Sequence, residues 1–172
     1  MLFYFYIGIV LIAGGMLNSW FGSPRLADWT TPICWWGYIL ILDAAIHKIR
    51  GKSLIRNNFP LFLYQAVASV IFWGIFELNN LHLRNWIYVD LPPNPVETFI
   101  GMTLSFATIL PGIFYTAELI EISGIFHRIK LPPLRFSPKM AYSLIVIGMA
   151  FLVVPMLLPV RIAAYCFIFI WL

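Results

Sequence analysis

The chain has 172 residues, of which 62% are hydrophobic and only 10% are charged, whereas soluble domains usually contain about 45–50% apolar and about 25% charged residues. A soluble protein of this length would expose about a third of its surface to water, and this chain has too few polar side chains to cover it. Its aromatic content of 17% excludes a disordered chain, and two cysteines make neither a disulfide scaffold nor a zinc module. The net charge of +4 is therefore expected to orient the chain in a lipid bilayer and not to bind nucleic acid.

Apolar runs long enough to cross a bilayer, which takes about 20 residues, occur five times along the chain. They lie at approximately residues 2–20, 31–46, 59–78, 96–120 and 140–158. A further apolar run, 162–172, is too short to span alone, so the chain either ends in the membrane interface or belongs to a longer protein. We expect one membrane domain, 1–172, with an all-α fold: a multi-pass transmembrane helical bundle. Pro111 lies inside the fourth run and predicts a kink there.

Basic residues concentrate in two of the loops. Loops 47–57 and 127–139 contain eight Lys and Arg residues and no acid, against three Lys and Arg residues in the other loops. Because cytoplasmic loops carry an excess of Lys and Arg, both loops are expected to be cytoplasmic. The same rule places the N-terminus in the cytoplasm, and a bacterial inner membrane is the expected location.

An outer polar layer is predicted where the third run ends and the fourth begins. Glu77, Asn80 and Arg84 share one face if the helix continues, and a carboxyl group beside aromatic residues loses solvation, as a general acid requires. Alternatively, Glu77 pairs with Arg84 while the nearby aromatic residues belong to the interfacial belt. The candidate acids are Glu77 and Glu97, and the candidate substrate-binding residues are Trp73, Asn80, Asn85, Trp86 and Tyr88.

An inner polar layer is predicted near the basic loops. Asp43 and His47 are four residues apart, and Glu118 and Glu121 are three apart, so each pair shares a helix face. Such a set is a weak candidate for a metal site, but no Glu-x-x-His pair is present. The favoured interpretation is that these acids offset neighbouring basic residues, so we predict no metal site, and the sequence leaves any cofactor unknown.

The segment 76–104 carries a family resemblance. An acid and an asparagine end one helix, an aromatic pair follows, and a Pro-x-Glu sequence opens the next helix. This order resembles the membrane-embedded lycopene cyclase domain of carotenoid synthesis, whose second motif acid is replaced here by Thr98. The chain also looks like uncharacterised bacterial multi-pass proteins. The positions matching the cyclase pattern are Glu77, Asn80, Trp86, Tyr88, Pro95 and Glu97.

Two functions are compatible with these patterns. The cyclase resemblance implies an isoprenoid or carotenoid-like ligand, on which a carboxylic acid would act while aromatic ring faces stabilise a cation. The alternative is a non-catalytic helical subunit of a larger photosynthetic or respiratory membrane complex, whose partners would be other membrane subunits or a pigment. The sequence leaves open whether the protein is an enzyme.

Overall fold

The computed structural model describes residues 2–22, 27–89, 91–128, 137–159 and 162. These residues form helices and no strand, which confirms the all-α class. In chain order the helices are α1 (Phe3–Phe21), α2 (Thr30–Arg50), α3 (Leu54–Asn57), α4 (Phe59–Leu83), α5 (Pro95–Phe106), α6 (Ile109–Ser123) and α7 (Pro138–Leu157).

Within the ranges just given, four helical segments are long and apolar enough to cross a membrane: α1, α4, α5 together with α6, and α7. They correspond to the first, third, fourth and fifth predicted spans. The second predicted span is also a helix, α2, but it is less apolar than the other four, because it contains Asp43 and ends on His47, Lys48 and Arg50. A count of five spans therefore stays a prediction, and so does the cytoplasmic orientation of the N-terminus and the basic loops. Apart from Ile162, the short sixth run lies outside the described residues.

The chain divides into two compact units. The first contains Met1–Trp73 and Val89–Arg128, and the second contains Gly74–Tyr88 and Ile129–Leu172. In the first unit α1 packs along α2, and the two backbones meet where neither residue has a side chain. A Cβ atom placed on Gly8 would lie 2.6 Å from the carbonyl oxygen of Gly37. Small residues permit this close approach of membrane helices.

The core of the first unit forms around the C-terminal half of α2. Its buried apolar cluster is Ile39, Leu42, Ile46, Phe62 and Tyr115. These residues come from α2, α4 and α6, which therefore meet near the end of α2 that leads into the first basic loop. The same region contains the buried carboxyl group of the predicted inner layer.

The fourth predicted span is interrupted between Phe106 and Ile109, just before Pro111. Proline has no amide hydrogen, so Pro111 cannot donate to the carbonyl four residues earlier and the helical ladder fails there. The buried hydroxyl of Ser69 compensates for the break: its Oγ donates to the Phe106 carbonyl at 2.5 Å and accepts from the Leu110 amide at 3.0 Å. The interruption is thus a hydrogen-bonded feature of the fold.

Candidate functional sites

Two residues of the predicted outer polar layer are hydrogen-bonded to each other within the second unit. The Tyr88 hydroxyl donates a hydrogen bond to Oε1 of Glu77 at 2.5 Å. Glu77 is half-buried, whereas Tyr88 is 41% exposed. The alternative pair with Arg84 is not formed, because the ion pairs among the described residues all involve Arg50. Glu77 therefore has a tyrosine as its partner.

The segment that carries Tyr88 is held against the end of α4 by one asparagine side chain. Oδ1 of Asn80 accepts from the Trp86 amide at 3.1 Å, and Nδ2 donates to the Trp86 carbonyl at 2.9 Å. The helix ends at Leu83, and Arg84 follows in the left-handed region with φ 52°. This turn folds the chain back, which brings Tyr88 to Glu77. Asn85, within the turn, is exposed.

The remaining two outer-layer candidates belong to the first unit. The Trp73 ring lies 5.9 Å from the Phe106 ring, next to the break between α5 and α6. Glu97 is exposed in the first turn of α5, whose N-terminus is capped by Asn94. A carboxylate in that position interacts favourably with the helix dipole, which is a sufficient structural role. Their participation in one site with Glu77 stays a prediction.

Asp43, in the first unit, is a fully buried polar residue. Its Oδ1 accepts from the Tyr115 hydroxyl at 2.7 Å and from the Ile55 amide at 2.9 Å. Its Oδ2 accepts from the Ser53 hydroxyl at 2.8 Å and from the Tyr4 hydroxyl at 2.5 Å. A carboxylate accepts several hydrogen bonds through its two oxygens, so this buried group is satisfied by neutral donors.

Asp43 was predictable from the sequence, but its hydrogen-bond partners were not. Tyr4 and Tyr115 lie 39 and 72 positions away in the chain, and a tyrosine in an apolar helix carries no signal of a distant hydrogen bond. The nearby Ser53 follows the helix by only a few residues, and its position in the first basic loop was the one available clue. The network joins α1, α2, the loop around α3, and α6 at a single carboxyl group.

The other residues of the inner layer have a different arrangement. Glu118 lies 2.8 Å from the Arg50 guanidinium, and Glu121 lies 3.5 Å from it. This geometry agrees with the charge-offset interpretation of those two acids. His47 lies half-buried in the last turn of α2. Within the described part of the chain, no group of three or more His, Cys, Asp or Glu residues is arranged to hold a metal ion.

Comparisons of this chain with protein-family models, with curated proteins and with solved structures found no match.

Proposed function

We propose that this chain is a multi-pass membrane protein that binds an isoprenoid-like, lipid-soluble ligand at the Glu77–Tyr88 pair. The observation that supports the proposal is the 2.5 Å hydrogen bond between these side chains at the end of a helix apolar enough to span a membrane. Ionisable residues at membrane depth are costly to insert, so they commonly mark functional sites. Here the Tyr88 hydroxyl orients the Glu77 carboxyl group, which stays only half-buried.

The pair provides the two groups that acid catalysis on a polyene needs, a carboxyl group with one free oxygen and a hydroxyl donor beside it. Oε1 of Glu77 is engaged by Tyr88, while Oε2 makes no hydrogen bond to any residue that the structure describes. In the proposed step, the carboxylic acid transfers its proton to one carbon of a double bond, whose π electrons form the new C–H bond. The neighbouring carbon becomes cationic, and the Tyr88 hydroxyl stabilises the carboxylate left behind.

The carbocation would need electron-rich neighbours. Aromatic ring faces stabilise cations within about 6 Å, and the Trp86 backbone is tied to the Asn80 side chain, three residues from Glu77, by two hydrogen bonds. Trp86 and Tyr88 are therefore the proposed cation-stabilising residues. Glu97, exposed at the start of α5, is the second candidate acid.

The test is binding of lycopene to the purified protein in detergent, measured by quenching of tryptophan fluorescence, followed by mass analysis of the extracted polyene. Lycopene makes no hydrogen bond itself, but each of Glu77→Gln and Tyr88→Phe weakens the contact that holds the Tyr88 ring beside Glu77. We therefore expect lycopene binding to weaken about tenfold in both variants. Glu121→Gln, which changes an exposed carboxylate elsewhere, is the matched control. Unchanged binding in both test variants would refute the proposed site.

The alternative function, a subunit of a larger membrane complex, is favoured by one observation on α7. Four consecutive apolar residues of this helix, Leu144 to Ile147, are each at least half exposed. Successive helical residues point about 100° apart, so α7 exposes apolar side chains all around its axis. Native mass spectrometry of the protein extracted from its own membranes in mild detergent would separate the functions. Stoichiometric partner chains would support the subunit, and a lone chain with a bound polyene would support the proposed site.

A further inference from the structure

A cavity of about 290 Å³ lies in the first unit and is lined by neither Glu77 nor Tyr88. It is bounded by the loop that follows α2, by the start of α4, and by α6. Its polar lining includes Lys52, Asn57, Gln65 and Glu118, and the Phe114 ring adds an apolar wall. A volume of this size is close to the lower end of ligand-binding pockets, which start at about 300 Å³.

One wall of the cavity is held rigid by the buried carboxyl network. Ser53 and Tyr115 both line the cavity, and both donate hydrogen bonds to Asp43. The loop is fixed further by the Ser53 amide, which donates to Oδ1 of Asn57 at 2.9 Å. This contact uses Oδ1 of Asn57, so the NH₂ group of the same side chain can donate a hydrogen bond to a ligand. A binding surface that is ordered before its ligand arrives loses less conformational entropy on binding.

The cavity also contains an acceptor with no partner. Oε1 of Gln65 is buried and makes no hydrogen bond to any residue within the described ranges. Leaving a buried acceptor unsatisfied costs about 1–3 kcal/mol, so a ligand that donates a hydrogen bond there would remove that cost. A hydroxyl group supplies such a donor.

The charges around the cavity favour an anionic ligand. Glu118 is compensated by Arg50 at 2.8 Å, so its negative charge is largely offset. Lys52 lines the cavity and has no acidic oxygen within ion-pair distance among the described residues. Lys52 is therefore the lining cation without an acidic partner among the described residues, and it lies on the same cavity as the amide donor of Asn57.

We infer that this cavity binds the head group of a membrane phospholipid that carries one negative charge and a free hydroxyl group, as phosphatidylglycerol does. Lys52 and the Asn57 amide contact the phosphate, and Gln65 accepts from the hydroxyl. The acyl chains leave along the exposed apolar side of Phe114. Basic residues next to membrane helices attract anionic lipids, and this loop joins α2 to α4, which is apolar enough to span.

The test uses the full chain, delipidated in a neutral detergent and titrated with phosphatidylglycerol, phosphatidylcholine or phosphatidylethanolamine, with bound lipid counted by native mass spectrometry. We expect one phosphatidylglycerol per chain, retained at least about tenfold more tightly than the other two lipids. Lys52→Gln should weaken its binding about tenfold, because a charge-assisted contact to the phosphate is lost. Lys48→Gln is the matched control: it removes the same charge from an exposed position that does not line the cavity.

Gln65→Leu provides an independent readout. It removes an unpaired buried acceptor, so the variant should unfold at the same or a higher temperature while binding phosphatidylglycerol more weakly. Equal weakening by Lys52→Gln and Lys48→Gln would overturn the inference, since that result indicates diffuse charge attraction. Equal affinity for the three lipids would also overturn it. So would binding of soluble glycerol phosphate as tight as that of the lipid, which would assign the cavity to a soluble phosphate ester.

Discussion

The hydrogen bonds to Asp43 predict a measurable difference between two tyrosine-to-phenylalanine substitutions. Tyr115→Phe removes the hydroxyl that donates to Oδ1 of Asp43 at 2.7 Å. Asp43 has no exposed surface and Tyr115 only 2%, so water cannot replace the lost donor. Hydrogen bonds to charged groups contribute about 1.5–3 kcal/mol. We therefore expect Tyr115→Phe to lower the free energy of unfolding by about 2 kcal/mol.

The matched control is Tyr38→Phe on the neighbouring helix. The Tyr38 hydroxyl shares a hydrogen bond with Oγ1 of Thr116 at 2.8 Å, and this contact joins two neutral, partly buried groups. Neutral hydrogen bonds contribute about 0.5–1.5 kcal/mol, so the control should cost about 1 kcal/mol or less. Both variants remove one oxygen from a tyrosine ring. The difference between their free energies of unfolding therefore isolates the effect of the buried carboxyl group.

The assay is equilibrium unfolding of the purified protein in mixed micelles, in which a denaturing detergent is increased stepwise and helix content is followed by circular dichroism. We expect Tyr115→Phe to be the more destabilised variant by about 1 kcal/mol, which is the difference between the two classes of hydrogen bond. Equal midpoints for the two variants, or a lower midpoint for Tyr38→Phe, would show that Asp43 does not depend on its tyrosine donors.

Two further predictions concern the backbone. Gly8→Ala should destabilise the protein by about 1–3 kcal/mol through overpacking, because its new Cβ would lie 2.6 Å from the Gly37 carbonyl oxygen. Gly14→Ala is the control: its new Cβ would have no atom within 4 Å, so this variant should keep the stability of the unmodified protein. A Gly8→Ala variant with an unchanged unfolding midpoint would contradict the close packing of α1 on α2. Arg84→Gly should be neutral or stabilising by up to about 1 kcal/mol, because left-handed backbone is unfavourable for other residues, and φ there is 52°. Arg84→Val should be destabilising in the same unfolding assay, and equal stability of the two variants would show that this turn is not strained.

The sequence alone determined the class of the protein and most of its helices. A mostly apolar composition predicts a membrane protein, and the five predicted runs all correspond to helices in the structure, four of them apolar enough to span. The relation between Glu77, Asn80, Trp86 and Tyr88 was also predictable in part, because these residues are close in the chain. The particular partner of Glu77 was not, since it depends on the turn at Arg84 that reverses the chain.

Tertiary structure alone decided how the inner polar layer is arranged. Asp43 receives donors from α1 and α6, and apolar helices are nearly uniform in sequence, so their pattern does not specify which of them will meet. The same holds for Ser69, which bridges the break before Pro111 from a different helix. A proline predicts that a backbone carbonyl loses its partner, because the amide hydrogen is missing from the residue itself. Which side chain stabilises the broken helix depends on packing between segments distant in the chain, and only the folded structure contains that information.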